Sequence, residues 1–354
     1  MINRRRFISL SSMAAAYGLL PIRLNVAYVG SGFIMTVTGK IKLTEAGSFL
    51  SHEHTLTDFT GAEKIAQPQY DRDKAFEFLL PYLKKLKAGG VDTLAECSPA
   101  YIGRDALLVK RLSEASGIHI LTNTGYYAAV DFKYLPAHAH TESSDQLSAR
   151  WLKEWNEGIS DTGIRPGFIK LGVGSAPLKP LEKKLIEAAA KTHLQSGLKI
   201  AIHTGDGAAA AEELAFLEAS GLSPEAMIWV HAQNDQSGIH HLALAEKGCW
   251  ISLDGFNGSP GTPEQYKKHL LAFKKAGLLH KVLLSHDDGF AVVNSGEAIY
   301  FEQFKNGNNE PYLTIDKLLM PLLKEVGFTP KELRLLRHTN PATAFSIQIH
   351  SRKK

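Results

Sequence analysis

Two imidazoles stand at alternate positions in Leu50-Ser51-His52-Glu53-His54, just where an apolar run ends. On an extended strand end a period of two points both rings to one side, and two same-side imidazoles can hold one metal ion. The spacing recurs at His138-Ala139-His140, but there Leu135-Pro136-Ala137 leads in and Thr141-Glu142-Ser143-Ser144 follows, a setting that predicts a solvated loop. Lys170 lies in Gly167-Phe168-Ile169-Lys170-Leu171-Gly172-Val173, which would carry an ammonium into a buried strand end. Lysine is rarely buried unpaired, and burial favours the neutral amine. A neutral amine can take up carbon dioxide as a carbamate, whose two oxygens and negative charge suit the space between two cations. The competing reading is a lysine that reaches the rim or pairs with Glu96 or Asp254. His203 closes Leu198-Lys199-Ile200-Ala201-Ile202-His203, and His231 closes Met227-Ile228-Trp229-Val230-His231; each alone also reads as a satisfied core histidine. Asp287 ends Val282-Leu283-Leu284-Ser285-His286-Asp287, where a carboxylate could ligate a metal and accept a proton from a bound water.

Such residues act together only if the chain brings their strand ends to one place. Short apolar runs at Ser48–His52, Val91–Glu96, Ile118–Thr124, Gly167–Lys170, Leu198–His203, Met227–His231, Cys249–Asp254 and Lys281–Asp287 alternate with helical patterns such as Ala75–Leu86 and Lys183–Gln195. Gly89-Gly90, Gly117, Gly197, Gly248 and Gly277 stand where helix C-caps are expected. Eight strand-helix units predict parallel pairing and a closed (β/α)8 TIM barrel, in which all C-terminal strand ends share one mouth. A doubly wound sheet would spread the same residues along a crevice and gives no reason for so many strands to end in a ligand type. Phe33–Val37 and Lys40–Leu43, joined through Thr38-Gly39, predict a short hairpin ahead of the barrel. Two irregular stretches, Ala128–Ser144 and Phe290–Tyr312, are expected to overhang the mouth and shape access.

At 354 residues the chain allows one large domain or two ordinary ones, and 44% hydrophobic with 21% charged residues is the composition of a soluble globular protein. Residues 1–27 stand apart. Arg4-Arg5-Arg6-Phe7-Ile8 and the short apolar Ser9–Leu20 resemble a twin-arginine export signal, so a periplasmic or secreted protein is expected, with 28–354 as a single barrel domain and membrane contact only through the signal. No clean Ala-x-Ala marks a cleavage point, and Ala27 is a candidate end. The leader holds four of the 40 basic residues and none of the 36 acidic ones, so the body is balanced at 36 against 36 and nothing points to a nucleic-acid partner. Cys97 and Cys249 fall at opposite ends of their strand runs, too far apart in a barrel for a disulfide.

Taken in order, His52-x-His54, Lys170, His203, His231 and Asp287 arrive on the first, fourth, fifth, sixth and eighth runs. With Thr36-Val37-Thr38-Gly39-Lys40-Ile41, Gly103-Arg104-Asp105, Thr124-Gly125-Tyr126-Tyr127 and Asn340-Pro341-Ala342, the chain from about Thr36 to Phe345 resembles the phosphotriesterase family of the amidohydrolase superfamily. The resemblance implies a binuclear hydrolase. His52, His54 and Asp287 would hold one divalent ion, His203 and His231 the other, and carboxylated Lys170 would bridge both. Zinc is the expected metal, with manganese, iron and cobalt compatible. A bridging hydroxide would attack an ester-like bond, with Asp287 as the proton acceptor. Tyr127 matches a tyrosine that lines the site in lactonase members, although Tyr126 beside it leaves either free to be core. The implied partner is a small ester or lactone, with a homodimer left open.

This chain departs from the family pattern in two places. Gln233 stands where an acid follows the sixth-strand histidine, and Phe256–Thr262 after the seventh run carries no Arg or Lys, which counts against a phosphorylated sugar lactone. Within the hydrolase reading, lactone opening is expected ahead of phosphotriester cleavage. A non-catalytic metal-dependent periplasmic binding protein is the reading from another class, and it gives no reason to keep Asp287 beside the bridging set.

Overall fold

The computed structural model describes residues 32–65 and 68–348, so the arginine-led leader lies outside the described residues. A hairpin of β1 (Phe33–Thr36) and β2 (Gly39–Lys42) comes first. Each of the eight apolar runs is a strand: β3 (Phe49–Glu53), β4 (Thr93–Glu96), β5 (His119–Leu121) continued as β6 (Asn123–Thr124), β7 (Phe168–Gly172), β8 (Ile200–His203), β9 (Met227–Val230), β10 (Trp250–Leu253) and β11 (Val282–Leu284). Pairing is parallel, β3-β4-β5 in one arc and β6 through β11 in the other. The arcs are continuous through the third run, where Thr122 alone separates β5 from β6. At the β11–β3 seam side-chain hydroxyls replace the ladder: Ser51 Oγ donates to Leu284 O (3.3 Å), and the His52 N–H donates to Ser285 Oγ (2.9 Å). The barrel closes there.

Burial on both faces explains why these strands read as unbroken apolar runs rather than alternating ones. Inside the barrel one residue from each strand meets the others: Phe49, Ala95, Leu121, Phe168, Ala201, Ile228, Trp250 and Leu283. Ile34 of the hairpin and Phe345 near the C-terminus join this inner core, with the Phe345 ring 5.3 Å from Phe49 and 5.2 Å from Phe168. Backbone bonds between Phe33 and Ile347 tie the two terminal segments together below it. A second apolar layer lies between strands and helices. In helix Arg72–Ala88 it takes Ala75, Leu79, Leu83 and Leu86, the three- and four-residue spacing expected of one buried stripe, behind an N-cap in which Asp71 accepts from the Asp73 and Lys74 amides. Gly89, Gly117, Gly197, Gly248 and Gly277 do cap the helices before the following strands.

Two segments expected to be irregular are not. His138-Ala139-His140 lies in a short helix, Ala137–Thr141, rather than in a solvated loop; Ala139 is fully buried and His138 Nε2 is 3.0 Å from the Tyr126 hydroxyl. After β11 the chain forms an antiparallel hairpin, β12 (Phe290–Asn294) with β13 (Ile299–Gln303), because two runs of β-branched and aromatic residues flank the turn at Ser295-Gly296. Cys97 and Cys249 are both free and buried.

Candidate metal centre

The period of a strand, counted from the inner core, aims most of the chemistry. Phe168 and Ala201 face the barrel interior, so Lys170 and His203, two residues on, face the mouth. Counting fails on two other strands, and the backbone repairs it. On β9 the inward positions are Ile228 and Val230, which leaves His231 out of phase; a left-handed backbone (φ 63°) turns its ring inward. On β3 the register against β4 shifts between Leu50 and Glu53, a bulge that brings His52 and His54 into phase. Asp287 is also left-handed (φ 59°). Such conformations cost a non-glycine residue about 1–3 kcal/mol and persist where the surrounding structure holds them.

All six residues, with Tyr127, line one cavity of about 220 Å³. Asp287 Oδ1 lies 3.2 Å from His52 Nε2 and 3.1 Å from His54 Nε2, while its Oδ2 lies 3.9 Å from His231 Nε2. The His203 and His231 rings meet edge to face at 4.4 Å. Lys170 is 2% exposed, so it is not a rim lysine, and neither Glu96 nor Asp254 pairs with it; its Nζ donates to Leu171 O at 3.2 Å. The Tyr127 ring stands 5.0 Å from His203, with Lys170 Nζ 5.8 Å from its centre, whereas Tyr126 packs on Trp151 in the outer layer. Gly172 makes that placement possible, since a Cβ there would fall 2.3 Å from the Tyr127 ring.

Sequence reading missed what holds these rings from behind. Asp254, directly after β10, is fully buried and accepts from the backbone N–H of His231 (3.1 Å) and from its Nδ1 (2.8 Å). The other carboxylate oxygen lies 3.2 Å from His52 Nδ1, without the alignment of a hydrogen bond. Gln233, the departure from the family pattern, still braces this group: its Oε1 accepts the Asp254 amide at 3.0 Å. A second cluster, Glu53, His286 and Asp288, has ligand types at ligand distances but is spent on structure. Glu53 accepts from Ser285 Oγ, His286 Nδ1 and the Asp288 amide, and His286 Nε2 accepts the Ile315 amide. Asp288 in turn accepts from Asn306, Asn308 and the Tyr312 amide, and so fixes the segment that carries Phe304 over the mouth.

Burial and opposite charge pull against each other here. Burial alone would lower the pKa of His52, but Asp254 and Asp287 facing it raise it to about 9. Burial would raise Asp287, and the His231 and His52 imidazoles outweigh it and hold the carboxyl well below its usual range. Burial pushes Lys170 down, towards the neutral amine, and His203 far down. The donor set fits cations: three Nε2 atoms converge on one carboxylate, the Nδ1 atoms face the protein, and among the described residues a buried amine has a single carbonyl for a hydrogen-bond partner. Around this floor the walls are Phe59, Pro99, Ile102, Val130, Tyr134 and Phe304, and Lys170 is the only Lys or Arg among the lining residues.

Residues 32–345 match the model of the phosphotriesterase family. The chain is 26% identical over 301 residues to the Phosphotriesterase homology protein of Escherichia coli (strain K12), covering 84% of this chain and 98% of that one. It is 25% identical over 309 residues to an Aryldialkylphosphatase of Saccharolobus solfataricus, covering 86% and 97% respectively. A solved structure described as "Molecular Engineering of Organophosphate Hydrolysis Activity from a Weak Promiscuous Lactonase Template" superposes with a TM-score of 0.76 at 26% identity, covering 88% of this chain and 99% of that one.

Proposed function

This chain belongs to the phosphotriesterase family, and from that premise we propose that it is a binuclear metal-dependent hydrolase of ester-like bonds, opening small lactones or esters ahead of phosphotriesters. The observation that carries the reading is the convergence of His52, His54 and His231 on Asp287 beside the buried Lys170. In this reading His52, His54 and Asp287 would hold one divalent ion, His203 and His231 a second, and a carbamate on Lys170 would contact both. Divalent ions held there would supply a water of lowered pKa and polarise a carbonyl or phosphoryl oxygen. Asp287, ionised throughout the neutral range, accepts the proton of the attacking water and returns one to the leaving oxygen. Tyr127 borders the reacting group and, because burial pushes its hydroxyl well up, stays protonated as a hydrogen-bond donor.

The walls argue for the substrate. An aromatic and aliphatic collar, whose lining holds no Arg and no Lys apart from Lys170, read here as a carbamate, favours an uncharged group over a phosphate or sulfonate. A cavity of about 220 Å³ seats a compact ring or acyl group. Phosphotriesters are uncharged as well, and the Saccharolobus relative's name keeps them as the second reading. Purified metal-loaded protein should turn over members of a panel of lactones and aryl esters, lose that activity to a chelator and regain it with a divalent cation. No turnover of any lactone, ester or organophosphate triester by metal-loaded protein would contradict the proposal.

A further inference from the structure

His54 reaches the centre through Nε2, and its backbone is already pinned. The Tyr312 hydroxyl donates to His54 O at 2.7 Å, and the His54 amide donates to Asp288 O at 2.8 Å. What the backbone leaves open is the proton on the ring, which decides whether Nε2 has a lone pair. Nδ1 lies 2.9 Å from Ser98 Oγ, and that hydroxyl lies 2.5 Å from Glu96 Oε1. Both side chains come from the end of β4 and the residues after it, and both are buried.

The direction of these two bonds follows from counting protons. Glu96 Oε1 receives the amide protons of Thr55 and Ser98, each at 3.3 Å, which mark it as an acceptor. Any proton on this carboxyl therefore sits on Oε2, a buried atom with no hydrogen-bond partner among the described residues. Ser98 has one hydroxyl proton and gives it to Oε1, since its other acceptor, Leu56 O, is 3.4 Å away. The Ser98 oxygen then has only lone pairs to offer, so His54 must supply the proton of the remaining bond from Nδ1.

We propose that Glu96, acting through Ser98, is a positioning residue that holds His54 in its Nδ1–H tautomer, so that Nε2 presents the lone pair a cation requires. The inference rests on the metal-centre reading above. It also gives the two sides of the centre different supports: His231 leans directly on the carboxylate of Asp254, whereas His54 leans on a carboxyl one hydroxyl removed. A hydroxyl at residue 98 is therefore required.

Two measurements test this on the full-length protein. Nitrogen-15 spectra of the metal-free wild type should show His54 protonated at Nδ1, whether or not Nε2 also shares a proton with Asp287 Oδ1 3.1 Å away; an unprotonated Nδ1 overturns the proposal without any variant. Zinc titration against a competing chelator should show one of the bound ions held about 10–100-fold less tightly in Ser98→Ala than in wild type, the range for lost outer-sphere partners of metal-bound histidine. Ser98→Thr, which keeps the hydroxyl, should restore the wild-type affinity. Equal zinc affinity in Ser98→Ala and wild type, or a loss that Ser98→Thr does not rescue, refutes the relay. A wild type that binds no zinc refutes the metal centre instead, and the tautomer measurement still judges the relay by itself.

Discussion

Tyr127 reaches the cavity only because residue 172 has no side chain, and Gly172→Ala turns that contact into a measurement. The added Cβ would lie 2.3 Å from Tyr127 Cδ2 and 2.4 Å from Cε2. Ordinary carbon contacts are about 3.5–4.0 Å, so ring or strand must give by more than about 1 Å. The ring has little room, with His203 at 5.0 Å on one side and Tyr134 at 5.9 Å on another. Overpacking of this kind costs about 1–3 kcal/mol, and for a chain of this size that lowers Tm by roughly 1–4 °C. Thermal and urea unfolding of wild type, Gly172→Ala, Tyr127→Ala and the double variant give the cycle. In the Tyr127→Ala background the clash has no partner, and Gly172→Ala should then cost less than about 0.5 kcal/mol. The same loss in both backgrounds would show that Gly172 serves the strand rather than the tyrosine, and the reasoning would fail.

Two further outcomes are expected. Glu213 is fully buried with Thr204 Oγ1 as its partner, and burial raises its carboxyl well above the ordinary value. Its folded form keeps a proton that the unfolded chain releases above pH 4.5, so wild-type stability falls as pH rises above that value; Glu213→Gln, which cannot titrate, should gain on wild type as pH rises above 4.5, by up to about 1.4 kcal/mol per pH unit, and a pH-independent difference in urea unfolding would refute this. We also propose, from Arg4-Arg5-Arg6-Phe7, that Arg4→Lys with Arg5→Lys blocks export while leaving the protein folded inside the cell; fractionation showing normal export of the double variant would end the twin-arginine reading.

The chain announces its barrel because each strand is local and buried on both faces, so eight apolar runs are visible without knowing their neighbours. The converging residues are visible for the same reason: Lys170, His203 and Asp287 each close or interrupt a run with a residue type that burial disfavours. The supports were not legible, because they join strands. Asp254 meets His231 across the β9–β10 pairing, and Glu96 meets His54 through Ser98 only in a register that a bulge has shifted. The left-handed turns at His231 and Asp287 carry no glycine to reveal them. The β12–β13 hairpin was within reach, since Ser295-Gly296 separates two β-prone runs, but the length of the stretch suggested an irregular loop.

The central claim is that Lys170 bridges two ions, and the metal content of Lys170→Ala tests it most directly. Wild type, purified gently, should carry about two transition-metal ions per chain by elemental analysis, zinc being the expected one. Lys170→Ala removes the shared ligand, so bound metal and turnover of the best lactone or ester should fall together, with added small carboxylates restoring part of both. Unchanged metal content and unchanged rate in Lys170→Ala would contradict the binuclear assignment and leave at most one ion on His52, His54 and Asp287.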